Sequence, residues 1–291
     1  MKEKLQVSEL VLHDGMVYHL RVRPENIGDT IILVGDQSRV GTVSKYFDSI
    51  DYKGQNREFV THTGTLANKR ITAMSTGIGT DNIDIVINEL DALVNIDLQS
   101  REFRQKHTSL KLVRIGTTGS LQASIPTGGC IISKLSAGFD NTLQFYSDLQ
   151  KFNRADIAEK FIQTVQWNDK IGVPYFVEPS PVLFDKLNEG FYPGMTISAP
   201  GFYGPQGRQL RLQPLLQNLN TEILRFSFDG LSITNYEMEC SALYGLAKML
   251  NHHAATVCAV IANRATKQFI NDYSTTIENL VQTVLERLTK E

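Results

Sequence analysis

The sequence predicts an α/β fold in one domain, with a mixed, largely parallel twisted sheet flanked by helices. Short β-branched runs alternate with helical stripes along the whole chain, which is the pattern of βαβ units whose strands are buried on both faces. No internal repeat, low-complexity tract or Pro/Ser-rich linker interrupts that alternation, so residues 1–291 are expected to form a single unit.

The expected strands are Thr30–Val34, Ile71–Ser75, Lys111–Ile115, Ile131–Ser133, Ile171–Val177 and Ala255–Ala262. Between them, Asn82–Ile96 sets Ile83, Val86, Ile87, Leu90, Leu93 and Val94 on one stripe, with Thr80 or Asp81 as N-cap. Glu237–Asn251 carries Met238, Ala242, Leu246 and Met249 at helical spacing, and a last helix buries Ile277, Leu280, Val281, Val284, Leu285 and Leu288. Two segments fall outside the pattern. Leu98–Ser109 is polar and of mixed charge and reads as inserted or mobile, and Ser198–Gly207 holds too much Gly and Pro for regular structure.

Composition narrows the function. A formal net charge of -2, with basic residues dispersed, gives no footprint for nucleic acid. Three cysteines, Cys130, Cys240 and Cys258, lie in or beside apolar stretches and are expected to be reduced packing residues. No apolar run approaches membrane-span length, so a cytoplasmic protein without membrane partners is expected. The six histidines are scattered without metal-ligand spacing, and the adjacent His252 and His253 are expected to face solvent.

Three expected strands run into glycine-rich segments: Gly35-Asp36 after Val34, Thr76-Gly77-Ile78-Gly79 after Ser75, and Gly116-Thr117-Thr118-Gly119 after Ile115. Ligands of open α/β sheets bind at the carboxyl ends of strands, so these turns should converge on one crevice. Glycine lets backbone amides approach an anion, and Arg39 and Arg114 supply guanidinium forks that match a tetrahedral oxyanion. Each turn alone is equally explained as a tight connection, and each arginine alone as a surface ion-pair partner. Neither GxxxxGK[ST] nor a strand-linked GxGxxG is present, so nucleotide triphosphate and dinucleotide sites lack support.

In order along the chain, VGDQSRV (Val34–Val40), NREFVTHTG (Asn56–Gly64), STGIG (Ser75–Gly79), RIGTTGSLQ (Arg114–Gln122), FYGPQGR (Phe202–Arg208), NYEMECSAL (Asn235–Leu243) and VIANR (Val260–Arg264) resemble the motifs of the hexameric-type nucleoside phosphorylases, and within them the uridine phosphorylases. The resemblance implies phosphorolysis of uridine or a related pyrimidine nucleoside to the free base and ribose 1-phosphate. It assigns phosphate to Gly35, Arg39, Arg114 and Thr117, with Arg57 supplied by a neighbouring subunit. It assigns ribose to Met238 and Glu239, with His19 also crossing the interface, and the base to Thr118, Gly119, Phe202, Gln206 and Arg208. Arg114, Gln206 and Arg208 carry the catalysis. A homo-oligomer, at least a dimer with shared sites, follows from that resemblance.

These roles suit the residue types. A carboxylate accepts two hydroxyl hydrogens, a glutamine both donates and accepts at a pyrimidine-dione edge, and Phe202 offers a stacking face. His19 reads equally as a surface histidine, and Glu239 as a glutamate favoured at a helix start. No organic or redox cofactor is expected, since inorganic phosphate is itself a substrate. Relatives implied by the resemblance sometimes hold a monovalent cation between subunits, which makes Glu58 and Ser75 candidates for K+. Where purine-cleaving relatives carry an acidic residue, this chain has Ala262, which disfavours a purine nucleoside phosphorylase. The arginines disfavour a hydrolytic nucleosidase. Val34 and Gln37 replace both prolines of the phosphate turn, which keeps open a nucleoside-binding protein without turnover.

Overall fold

The structure is a computed structural model, and it describes residues 4–290. Its core strands are β1 (Thr30–Val34), β2 (Ser49–Asn56), β3 (Phe59–Leu66), β4 (Lys69–Ser75), β5 (Lys111–Ser120), β6 (Cys130–Gly138), β7 (Tyr192–Ser198), β8 (Leu231–Glu237) and β9 (His253–Asn263). They lie side by side in the order β8-β7-β6-β9-β5-β1-β4-β3-β2. The end of β8 also pairs with the end of β5, Asn235 with Ser120 and Tyr236 with Gly119, which closes β5, β9, β6, β7 and β8 into a ring. Five of these nine pairings are parallel, so the expected mixed, largely parallel sheet is present.

Helices α1 (Gln37–Ser44), α2 (Thr80–Asn95), α3 (Cys240–Met249) and α4 (Ser274–Thr289) cover the sheet. The α2 stripe of Ile83, Val86, Ile87, Leu90 and Leu93 is wholly buried against α3, and the α4 stripe packs on Val34, Val113, Val257 and Ala259 from the sheet's other face. Burying such side chains contributes about 1.5–3 kcal/mol each relative to exposure, which is what makes the stripes decisive for the fold.

Several boundaries differ from expectation for identifiable reasons. The Gly116–Gly119 segment is not a turn: β5 runs through it, because β9 pairs along its whole length and β8 takes its end. Ile171–Val177 shortens to Tyr175–Val177, since Gly172 sits at φ 91° and Pro174 follows. Neither Thr80 nor Asp81 caps α2, because Gly79 at φ 102° occupies that position and gives its N–H to Glu239 instead. Helix α3 starts only at Cys240, as Glu237 ends β8 and its carboxylate accepts the backbone N–H groups of Glu239 and Cys240.

Segment 98–109 is tied down at several points. Asp97 accepts the N–H groups of Gln99 and Ser100, and Ile96–Asp97 pairs with Glu102–Phe103. Arg101 reaches the carbonyl of Leu10, and His107 that of Leu250. The three cysteines are free, and burial pushes the Cys130 thiol up to about 11 and the Cys240 thiol to about 12, so they stay protonated packing groups.

Candidate active site

At the carboxyl ends of β1, β4, β5 and β8 the structure opens a cleft of about 780 Å³. Its walls are assembled by strand register. Because β1 lies parallel beside both β4 and β5, Gly35, Gly77 and Thr117 emerge at the same rim. Asp36 caps α1 by accepting the Ser38 N–H at 2.7 Å, and this hydrogen bonding with Ser38 holds its carboxyl below the usual range. The cap places Arg39 in the first helical turn, so its side chain and the positive end of the helix both face the cleft.

Arg114 is buried, 5 % exposed, between Glu239 and Glu237, which are buried too. Its Nη2 bonds Glu239 Oε2 and its Nη1 lies 3.4 Å from Glu237 Oε2. Burial works against the guanidinium's charge, but Glu239 and then Glu237 outweigh it and raise its pKa overall. Glu237 shows the opposite balance: burial and the nearby Glu239 charge push it up to about 7, although Arg114 opposes them. Glycine at 116 is required here, since a Cβ there would stand 2.2 Å from Arg114 Nη1 and 2.9 Å from Cys258 Sγ. The glycine of this motif therefore makes room for an arginine two residues earlier on the same face of the strand.

The other wall comes from the loop after β7. Gln206 is buried, and its Oε1 accepts from Arg208 and, at 2.9 Å, from Arg264 Nη2. Arg208 stacks 3.8 Å over the Phe202 ring, while Arg264 lies 4.7 Å over the Tyr236 ring. Desolvation first, and then the Arg264 charge, lower the Arg208 pKa to about 10. Two cations are thus packed side by side where they repel each other, an arrangement that an anionic guest relieves.

Of the expected residues, Gly35, Arg39, Arg114 and Thr117 line this cleft, as do Met238 and Glu239, and Phe202, Gln206 and Arg208. Thr118 and Gly119 line it too, but the Thr118 hydroxyl is already shared between the Tyr236 carbonyl and Asn235. His19 and Arg57 do not line the chain's own cleft. They sit together elsewhere: His19 Nδ1 bonds Glu89 at 2.6 Å, Asn56 donates to the His19 carbonyl, and the Arg57 guanidinium lies 5.8 Å from the Tyr18 ring centroid. Ser75 donates to the Glu58 backbone carbonyl and accepts from the Val60 N–H, so its hydroxyl is committed, whereas Glu58 itself reaches the cleft.

Sequence reasoning missed Glu237, Tyr236 and Arg264. The alternation of NYEMECSAL along a strand end carried a signal for the first two, since Glu237 and Glu239 flank Met238 and both reach Arg114. Arg264 closes the VIANR motif but was given no role there, because that role depends on a loop 58 residues away.

Away from the cleft, Asp91, His107 and His252 bring three ligand-type atoms within 4.8 Å of one another. His252 is buried, which corrects the expectation that it faces solvent. Its Nδ1 accepts the Leu110 N–H at 3.1 Å, so in the neutral ring the proton sits on Nε2, 3.2 Å from Asp91. A metal would have to displace that proton, and the group reads as a packing network. Another cavity, of about 600 Å³, opens at the amino ends of β1, β4 and β5, where Lys69 and Lys186 spend their ammonium groups on the Leu288 and Lys290 carbonyls. Those lysines cap the carboxyl end of α4.

The sequence that builds this cleft, with a buried arginine inside β5, paired glutamates and an arginine-clamped glutamine, is matched by a family model. The phosphorylase superfamily model covers residues 29–289. The chain belongs to the phosphorylase superfamily. It is 31 % identical over 259 residues to a uridine phosphorylase of Thermococcus kodakarensis, covering 88 % of this chain and 80 % of that protein. A solved nucleoside phosphorylase of Trypanosoma brucei that shows uridine phosphorylase activity superposes with a TM-score of 0.85 at 29 % identity, over 96 % of this chain and 98 % of that one. A purine nucleoside phosphorylase of Streptococcus suis is 24 % identical over 281 residues, covering 95 % of this chain and 100 % of that protein. No helix among the described residues is long and apolar enough to cross a membrane.

Proposed function

We propose that this phosphorylase is a pentosyltransferase that cleaves uridine with inorganic phosphate, giving uracil and ribose 1-phosphate. The observation that carries the reading is the pairing of two arginine pairs in one cleft, Arg39 from α1 with Arg114 from β5, and Arg208 with Arg264 around Gln206. A phosphate oxygen attacks C1′ as the bond from C1′ to the base nitrogen breaks, and that electron pair leaves with the uracil ring. The transition state has oxocarbenium character. Holding the anion in line contributes an effective concentration effect, worth up to roughly 7–11 kcal/mol in well-oriented systems.

Gly35, Arg39, Arg114 and Thr117 hold the phosphate, while Met238 packs under the sugar and Glu239 accepts the ribose hydroxyls. Gln206 and Arg208 face the departing base, whose charge spreads over its oxygens and is stabilised by donors there without a dedicated acid. Ala262 lines the cleft and offers no acid for a purine leaving group, which favours the pyrimidine reading. Thr118 and Gly119 contribute wall, and the free face of Phe202 is left for the ring. The shared patch of His19 and Arg57, which does not line the chain's own cleft although Arg57 adjoins the cleft residue Glu58, supports a homo-oligomer in which each copy completes its neighbour's site.

The chemistry involves no redox change, so an organic cofactor is not needed; a K+ near Glu58 at a subunit interface would act on assembly. The neutral-to-acidic composition and the absence of an apolar span in the described helices support a cytoplasmic location. The test is ultraviolet detection of uracil release from uridine with and without phosphate. Release only with phosphate is expected, and release at equal rate without it would overturn the reading.

A further inference from the structure

Asn220 stands outside the cleft, on the short helix Leu219–Ile223, yet it holds the backbone of the base-facing loop. Its Nδ2 donates to the Gln206 carbonyl at 3.2 Å and to the Gly207 carbonyl at 3.4 Å. Its Oδ1 accepts from Arg264 Nη1 at 3.4 Å, and the same Nη1 donates to the Gln206 carbonyl at 2.7 Å. Leu219 and Ile223, on either side of Asn220, are buried in the cluster with Phe161 and Phe226, so the amide projects from an anchored platform. The loop closes on it tightly: Gly207 sits at φ 66°, and a Cβ there would lie 2.4 Å from Asn220 Nδ2.

We propose that Asn220 is a positioning residue that fixes the hydrogen-bond polarity of Gln206 and thereby sets the affinity for the base. Both Arg208 and Arg264 donate to Gln206 Oε1, which uses its lone pairs and leaves Nε2 with no partner among the described residues. Rotating the amide would set its NH2 against two guanidinium groups, which also only donate. The cleft therefore presents a donor and asks the base for an acceptor, a demand that a pyrimidine-dione meets with a ring carbonyl. That orientation lasts only while Arg264 and the 206–207 carbonyls are held, and Asn220 is the side chain that touches all three. Sequence reading expected Gln206 to accept from the ring N–H as well; the clamp makes it chiefly a donor. This inference rests on the uridine reading of the cleft.

Steady-state kinetics of Asn220→Ala test it. The uridine KM is expected to rise about tenfold, as displaced positioning groups commonly cost that much or more. The phosphate KM should stay within about twofold. In a Gln206→Ala background, Asn220→Ala should add almost nothing, since both changes act through one side chain. A wild-type uridine KM in Asn220→Ala, an equal rise in phosphate KM, or a fully multiplicative effect in the double variant would each overturn the proposal. If Asn220→Ala does not fold, Asn220→Asp removes only the donor side and must show the same split between uridine and phosphate. A wild-type protein that releases no uracil would remove the functional reading and this inference together. An active wild type with an indifferent Asn220→Ala removes the inference alone.

Discussion

In the proposed reaction the phosphate end of the cleft is held by a strand and the base end by a loop, and the two solve the problem of a cation in a protein differently. Arg114 is buried in β5 and compensated by two buried glutamates, so its position follows from sheet register and local charge. Arg208 sits in an exposed loop, stacked on Phe202 beside a second cation, and is positioned by aromatic contact and by Gln206. Rigid electrostatics thus serve the nucleophile that every turnover shares, and an adjustable network serves the group that distinguishes substrates.

Arg114→Ala should be the sharpest break in that comparison. It removes the guanidinium proposed to hold phosphate and strands two buried carboxylates, and breaking such pairs costs about 3–5 kcal/mol. Phosphorolysis should fall by roughly a thousandfold, the scale for losing a key electrostatic donor, and thermal melting should drop markedly. A stable, active Arg114→Ala would contradict the account of this end.

Gly116→Ala comes next. The added methyl meets Arg114 Nη1, so the phosphate KM should rise by about tenfold or more while the uridine KM moves less. Parallel changes in both constants would mean that the glycine acts on the fold and not on the arginine.

Arg208→Ala sharpens the other side. It should erase the preference for uridine over inosine, a discrimination of about 1–3 kcal/mol for a charge-assisted hydrogen bond, and leave the phosphate KM unchanged. Retained base preference would remove the loop from substrate recognition.

The smallest effect concerns pH. Burial and Glu239 raise the Glu237 pKa to about 7 in the folded chain, above its unfolded value, so folding favours the protonated form. Its contribution to stability is complete below the unfolded pKa and is lost as pH rises through about 7. Between about pH 4.5 and 7, wild-type melting temperature should fall more steeply with rising pH than that of Glu237→Gln. Equal slopes in differential scanning calorimetry would show that Glu237 does not titrate there.

The same contrast explains what the sequence disclosed. Apolar stripes such as Ile83 to Leu93 and runs such as Thr30–Val34 are local patterns, and the elements formed where the patterns lay. β2 escaped detection because its polar, largely exposed residues carry little hydrophobic periodicity, β3 because threonines fill the buried alternate positions 61 and 63, and β7 because Tyr192-Pro193-Gly194 reads as a breaker. Arg39, Arg114 and Glu239 were legible because each lies inside a compact motif. Arg264, Asn220 and the capping carboxylate of Glu237 were not, since their partners are brought together only by the ring of strands and the loop folded over it.

Phosphorus-31 NMR of the protein with uridine and inorganic phosphate tests the central claim most directly. The account predicts loss of the phosphate signal into a new sugar-phosphate resonance, matched one for one by uracil. Uracil accumulating beside free ribose, with the phosphate signal unchanged, would contradict it.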